Sequence, residues 1–241
     1  MKKTTIMLAL TVLFLLCSMQ AQAIPTSYGT ANHYTPAWQE LATYDNGTMT
    51  SDYGVFWSVD NGATWGQDAN LFVGQQVQFK FNMHKQNVGT HYADFLKSWI
   101  DWGQDGKFDD ADVLAYGYQE LTTNEGGNLG SWNEPNQPDY TFYSDLFLLT
   151  EDNIGNLWLR ARVTCSDSLA QSMGGYGSWD DQWTIPAETY KSGFNPTGHL
   201  HQGESEEWGI TVNAAPVPEP ATMFLLGSGL LGMIGFRRKK K

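Results

Sequence analysis

Six segments of this chain alternate apolar and polar residues with a period of two, and each is bounded by Gly, Asn or Asp: 55–59 (VFWSV), 77–81 (VQFKF), 97–100 (KSWI), 113–116 (VLAY), 157–163 (LWLRARV) and 208–212 (WGITV). Successive side chains of a strand point to opposite faces, so this pattern predicts half-buried strands. Between the two ends of the chain no stretch combines the 3.6-residue spacing with the caps of an amphipathic helix. Many short strands predict an all-β fold, an antiparallel β-sandwich of jelly-roll type, with a closed barrel as the alternative. One such domain is expected over 24–214, with residues 24–95 contributing its first strands. Residues 122–140 and 165–203 are polar and rich in Gly, Asn, Ser and Trp, and are expected to be long surface loops. Loops of that kind often carry binding residues.

The two ends carry signals of a different sort. Lys2 and Lys3 precede an apolar run over 6–16, and Ala21-Gln22-Ala23 supplies the small-x-small site that signal peptidase cleaves, so 1–23 reads as a signal peptide. Residues 215–241 hold a short linker, the triplet Pro218-Glu219-Pro220, an apolar stretch over 221–236 and a basic end from Arg237 to Lys241. The stretch is 16 residues long, which as a helix spans about 24 Å, against a bilayer core of about 30 Å. The basic end would stay on the cytoplasmic side. This tail resembles the PEP-CTERM sorting signal. The resemblance implies membrane attachment through the helix before processing, cleavage by an exosortase, and a Gram-negative envelope or extracellular matrix as the destination.

Charge narrows the partners. Seven of the 14 basic residues lie in the two ends, whereas Glu219 is the only acid there, so residues 24–216 carry 25 acids against 7 bases, near −18. Such a surface excludes nucleic acid, which needs a basic face, and favours cations. Cys165 is the only cysteine after residue 23, so no disulfide can form within the exported part.

The loop WIDWGQDGKFDDAD, over 99–112, follows calcium-loop spacing. Asp101 stands at position 1, Asp105 at 5, Gly106 at the tight turn, Lys107 at the main-chain carbonyl of 7, Asp109 at 9 and Asp112 at 12. Gly103 brings no side-chain oxygen to position 3. The alternative is a solvated acidic turn. Five aspartates within twelve residues, offset by Lys107 alone, favour a structural Ca²⁺ ion. The same loop, the strand at 157–163 and the closing Gly203-Glu204-Ser205-Glu206-Glu207-Trp208 resemble the GEVED domain over about 95–213. The resemblance implies a β-sandwich surface module without catalysis. Glu204 and Glu206 share one strand face, and either complete the ion site or pair with Arg160 and Arg162.

Other groupings point to two more classes. Ser58 to Trp65 fits the Asp-box spacing S-x-D-x-G-x-T-W, read as a hairpin turn over which Trp65 packs. His199 and His201 share one side of an extended segment, where a solvated pair is the alternative to a transition-metal site. Trp132, Trp179 and Trp183, in polar loops, are the candidates for stacking on extracellular polysaccharide. Asp180 and Asp181 between two of them are the carboxylates on which a secreted glycan hydrolase would depend, although no nucleophile elbow or zinc-protease helix is visible. The leading expectation is an exported, non-catalytic, structural or adhesive surface protein stabilised by Ca²⁺.

Overall fold

The computed structural model describes residues 24–35, 39–45, 48–49, 53–68, 70–84, 93–120, 140–174 and 185–216. After a 3-10 turn at Thr26–Tyr28 the strands run β1 Ala31–Thr35, β2 Glu40–Leu41, β3 Tyr44–Asp45, β4 Thr48–Met49, β5 Val55–Ser58, β6 Asn70–Phe72 and β7 Gln76–His84. Then follow β8 Ala93–Ile100, β9 Val113–Glu120, β10 Tyr140–Tyr143, β11 Phe147–Leu148 and β12 Gly155–Cys165. Two short helices, α1 Ser166–Ser172 and α2 Ala187–Gly193, precede β13 Gly198–Gln202 and β14 Glu204–Asn213. All six segments that alternate in the sequence lie in or overlap strands.

Two five-stranded sheets form. In the first, β7 is the spine and pairs antiparallel with β2, β5, β10 and β11. The second has the order β6-β14-β12-β8-β9, antiparallel throughout except for the parallel pair β6–β14. One buried apolar cluster draws on both. Val55, Trp57, Val77, Phe79, Phe81 and Met83 come from the first sheet, and Leu96, Ile100, Leu157, Leu159, Ile210 and Val212 from the second. Strands of sequence below residue 95 and above it thus share one core. Burying the larger of these side chains stabilises by about 1.5–3 kcal/mol each.

The second sheet is covered on its other face too. Phe95, Trp99 and Trp158 point away from the first cluster into another, made with Tyr28, Phe108, Leu169, Ala170, Ile185, Tyr190, Phe194 and Leu200. This cover consists of the N-terminal turn, α1, α2 and the parallel pair β1–β13. Every residue of β8 is consequently buried. Residues 166–172, 187–193 and 198–202 are therefore regular elements, where sequence reading expects loop. Each helix is only seven residues long, too short to display a repeat, and α1 buries Ser166 and Ser168 beside Leu169.

Candidate functional site

The acidic loop joins β8 to β9, and each residue of its motif has a structural task. Trp99 enters the second cluster and Ile100 the first. The Asp101 amide donates to the Trp158 carbonyl at 3.0 Å, fixing where the loop departs. Its carboxylate, 1% exposed, is the hub. Oδ1 accepts from the Asp105 amide at 3.1 Å, while Oδ2 accepts from the Gly106 amide at 2.9 Å and the Tyr28 hydroxyl at 2.6 Å. Gly106 sits at φ +85°, where a side chain would be strained. Phe108 returns under the Tyr28 ring, 4.8 Å between centroids. Asp109 and Asp112 form a capping box on the following 3-10 turn.

The cation that sits among these acids is Lys107, 3.2 Å from Asp105 and 3.5 Å from Asp109. Both contacts are exposed and contribute little to stability. Burial, and then the nearby carboxylates of Asp109, Asp101 and Asp105, push the Asp112 carboxyl above its ordinary range. Among the described residues no group of three or more His, Cys, Asp or Glu side chains is gathered to hold a metal. The loop closes on its own hydrogen bonds.

Glu204 and Glu206 stand apart from this loop. Glu204 is opposite Val163 and Glu206 opposite Ala161, whereas Asp101 is level with Trp158. At about 3.3 Å per residue that separates Glu204 from the loop by roughly 16 Å along the sheet. Glu204 accepts the Leu41 amide at 2.7 Å. Burial first, then the charge and hydrogen bond of Glu204, hold a proton on Glu206 well above the usual carboxyl range. The acid that meets arginine is Glu207, on the opposite strand face: its Oε1 accepts from Arg160 Nε at 2.9 Å and Nη2 at 2.5 Å. Glu207 lies directly across from Arg160 in the ladder.

Arg160 and Arg162 are 0% and 1% exposed, and Lys97 is 4% exposed. These three cations share the covered face and reach through it to main-chain carbonyls of the cover. Lys97 donates to the carbonyls of Lys191 and Phe194, Arg160 to those of Tyr28, Gly29 and Pro196, and Arg162 to those of Asn195, Thr197 and Gly198. Among the described residues no acid partners Arg162. Its fourth partner is His33 Nε2, 3.3 Å from Nε. His33 Nδ1 lies 2.9 Å from the Gln202 carbonyl, and a carbonyl only accepts, so Nδ1 carries the proton and Nε2 offers its lone pair to the guanidinium. Burial, and then Arg162, lower His33 to about 4. Burial, followed by the like charge of Arg160, lowers Arg162 to about 9, still charged at neutral pH.

His199 and His201 are exposed on β13 beside Tyr34, whose ring stacks on His201 at 5.7 Å. The Asp-box segment forms a turn. Ser58 Oγ accepts the Asp60 and Gly62 amides, Asp60 accepts the amide and hydroxyl of Thr64, and Trp57 and Gly66 exchange backbone hydrogen bonds. Asn61 and Gly62 take positive φ. The Ser58 hydroxyl, which donates to Asp60 Oδ1 at 2.7 Å, and then the two bonds from Thr64 hold Asp60 down at about 2. Cys165 is buried, and its thiol donates to the Gln202 side-chain oxygen at 2.9 Å.

Trp132, Trp179, Trp183, Asp180 and Asp181 lie outside the described residues, as do the segments 1–23 and 217–241 with Pro218, Glu219 and Pro220. Among the described residues no helix is long and apolar enough to cross a membrane.

What the geometry defines is a mostly-β protein built on two five-stranded sheets, with a buried cationic clamp that ties the cover to the second of them. Residues 216–239 match the PEP-CTERM protein-sorting motif, which indicates an exported surface protein sorted by an exosortase. No curated protein matches the chain. Solved structures similar to it include the CARDB domain of a Pyrococcus furiosus protein in complex with di-metal ions, at 8% identity and TM-score 0.32, with 76% of this chain and 95% of that one covered. AvmM, which catalyzes macrocyclization in alchivemycin A biosynthesis, is similar at 12% identity and TM-score 0.30, with 76% and 99% covered. At these TM-scores neither likeness speaks to what this chain binds or does.

Proposed function

We propose that this is a non-catalytic structural or adhesive protein of a Gram-negative cell surface or extracellular matrix, a GEVED-like β-sandwich of one unit over 24–214 that contacts extracellular polysaccharide. The observation that carries the reading is the sorting motif at 216–239, joined to an exported part of strongly negative charge whose two sheets share one apolar cluster. The jelly-roll-like arrangement rests on the same shared cluster. Deleting residues 217–241 tests the location: the truncated chain should leave the envelope fraction and accumulate in the periplasm or medium. Unchanged envelope attachment contradicts it. The rival reading, a secreted glycan hydrolase working through Asp180 and Asp181, requires reproducible product release from a panel of polysaccharides, lost in Asp180→Ala and Asp181→Ala.

Calcium at the acidic loop is part of the proposal because Asp112 is crowded by three other carboxylates, of which Asp105 and Asp109 are paired with the exposed Lys107. Ligation would draw on Asp101, Asp105, Asp109, Asp112 and the Lys107 carbonyl, and would require the Lys107 side chain to swing out. Calorimetric titration of Ca²⁺ after chelation should give heat and a raised melting point, both lost in Asp105→Ala. Absence of both leaves a turn closed by its own hydrogen bonds.

A further inference from the structure

The outer face of the first sheet carries a row of side chains that neither core uses. Phe56 on β5 and Tyr143 on β10 both lie opposite Lys80 on the central β7, so the three form one line across three strands. Trp65, folded back from the Asp-box turn, lies against this line, 5.6 Å from the Tyr143 ring. The Lys80 ammonium sits 4.7 Å from the Phe56 centroid and 5.0 Å from that of Trp65. Tyr143 remains 55% exposed. Trp65 also walls a cleft of about 360 Å³ whose rim bears Thr64, Asp68, Asn70 and Gln75 and whose lining includes Trp57. That volume falls in the range of small-molecule sites, roughly 300–1,000 Å³.

We propose that the Phe56–Trp65–Tyr143 face and the adjoining cleft form a binding site for a neutral polysaccharide with equatorial linkages, a glucan or chitin type of chain. The inference deepens the saccharide-binding part of the reading above and moves its seat from the Trp-bearing loops to the sheet. Equatorial hydroxyls leave both faces of a sugar ring as flat C–H surfaces, which stack on aromatic rings, while the ring edges need amide, hydroxyl and carboxylate partners. The face supplies the first and the cleft rim the second. Polyanions are disfavoured by the charge near −18 over 24–216, and Lys80 is already engaged with two rings. A protein partner would bury about 800 Å² per side around a core depleted of charge, whereas here the rings form a single row with Lys80 at its centre and polar groups at its border.

The test is retention of the full exported chain, in mild detergent, on insoluble cellulose and chitin, with Trp fluorescence titration by hydroxyethyl cellulose. Trp65→Ala and Tyr143→Ala are compared with the triple variant Trp132→Ala/Trp179→Ala/Trp183→Ala, each checked by its melting point. Binding by the parent, weakened about tenfold or more in Tyr143→Ala and abolished in Trp65→Ala at an unchanged melting point, is the expected result. If Trp65→Ala loses its fold, Tyr143→Ala decides, since its ring is mostly in solvent. Binding that survives both single variants and disappears in the triple variant overturns this site while leaving the saccharide reading intact. A parent that binds no neutral polysaccharide overturns both, without touching the sorting conclusion.

Discussion

Replacing Arg162 by Met keeps the length and packing of the stem and removes the guanidinium that holds the cover onto the second sheet. The wild-type group donates to the carbonyls of Asn195 at 2.8 Å, Thr197 at 3.1 Å and Gly198 at 3.1 Å, and contacts His33 Nε2. A buried acceptor left unmet costs about 1–3 kcal/mol. The low end applies, because Asn195, Thr197 and Gly198 are exposed residues whose carbonyls have some access to water. Three carbonyls at about 1 kcal/mol, with a contribution from His33, come to roughly 3–4 kcal/mol. Against this, the variant no longer buries a cation that no acid among the described residues compensates, a relief that offsets part of the loss. The net expectation is a destabilisation of about 2–3 kcal/mol, a fall in melting point of roughly 5–10 °C for a domain of this size. Scanning calorimetry reads the global effect, and amide hydrogen exchange should show the loss concentrated at 194–202. A variant as stable as the parent, with protection of 194–202 unchanged, would refute the clamp and make Arg162 a tolerated burial rather than a tie.

Acidity gives a second expectation. His33 titrates near 4 in the folded chain against an ordinary value of 6.5, so the unfolded state takes up the proton first and stability falls as pH drops from about 6.5 to 4, by up to about 3 kcal/mol. His33→Gln should flatten that limb of a melting-point-against-pH curve, and an unaltered limb would contradict the neutral assignment of His33. Glu206 acts in the opposite sense. Its folded form keeps a proton that the unfolded carboxyl releases, so stability declines as pH rises above the ordinary carboxyl range, and Glu206→Gln should lift the neutral-pH melting point; a lowered one would show that the ionised pair is needed. Gly203 lies at φ +105° between β13 and β14, and a Cβ there would press on the Val163 carbonyl oxygen. Gly203→Ala should therefore cost about 2 kcal/mol or more, and a denaturant midpoint equal to the parent's would show that the turn relaxes freely.

The strands were legible because the first sheet and the inner face of the second obey simple alternation, as in 77–81, where Val77, Phe79 and Phe81 are all fully buried. Alternation misleads at Lys97, Arg160 and Arg162. A polar residue every second position reads as a solvent face, yet here that face is covered and the cations are spent on carbonyls. The cover itself was hidden because α1 and α2 are only seven residues each and β1–β13 pair across more than 160 residues of sequence. Register explains the remaining misses. The partnership of Arg160 with Glu207 rather than Glu204 or Glu206 follows from which residues lie opposite in the β12–β14 ladder, and the Phe56–Lys80–Tyr143 row from three strands far apart in the chain. The calcium-like spacing of 101–112 is real as a pattern, but Asp101, Asp105 and Asp109 spend oxygens on backbone amides of their own loop.

Sorting by exosortase cleavage is decided by mass spectrometry of the C-terminus of the protein recovered from the cell surface, with cells lacking the exosortase as the comparison. Exosortase-bearing cells should yield a chain that ends near Pro218-Glu219-Pro220, free of the basic residues at 237–241, and the others an uncut tail. A surface protein that keeps Lys241 in both would contradict sorting by that route.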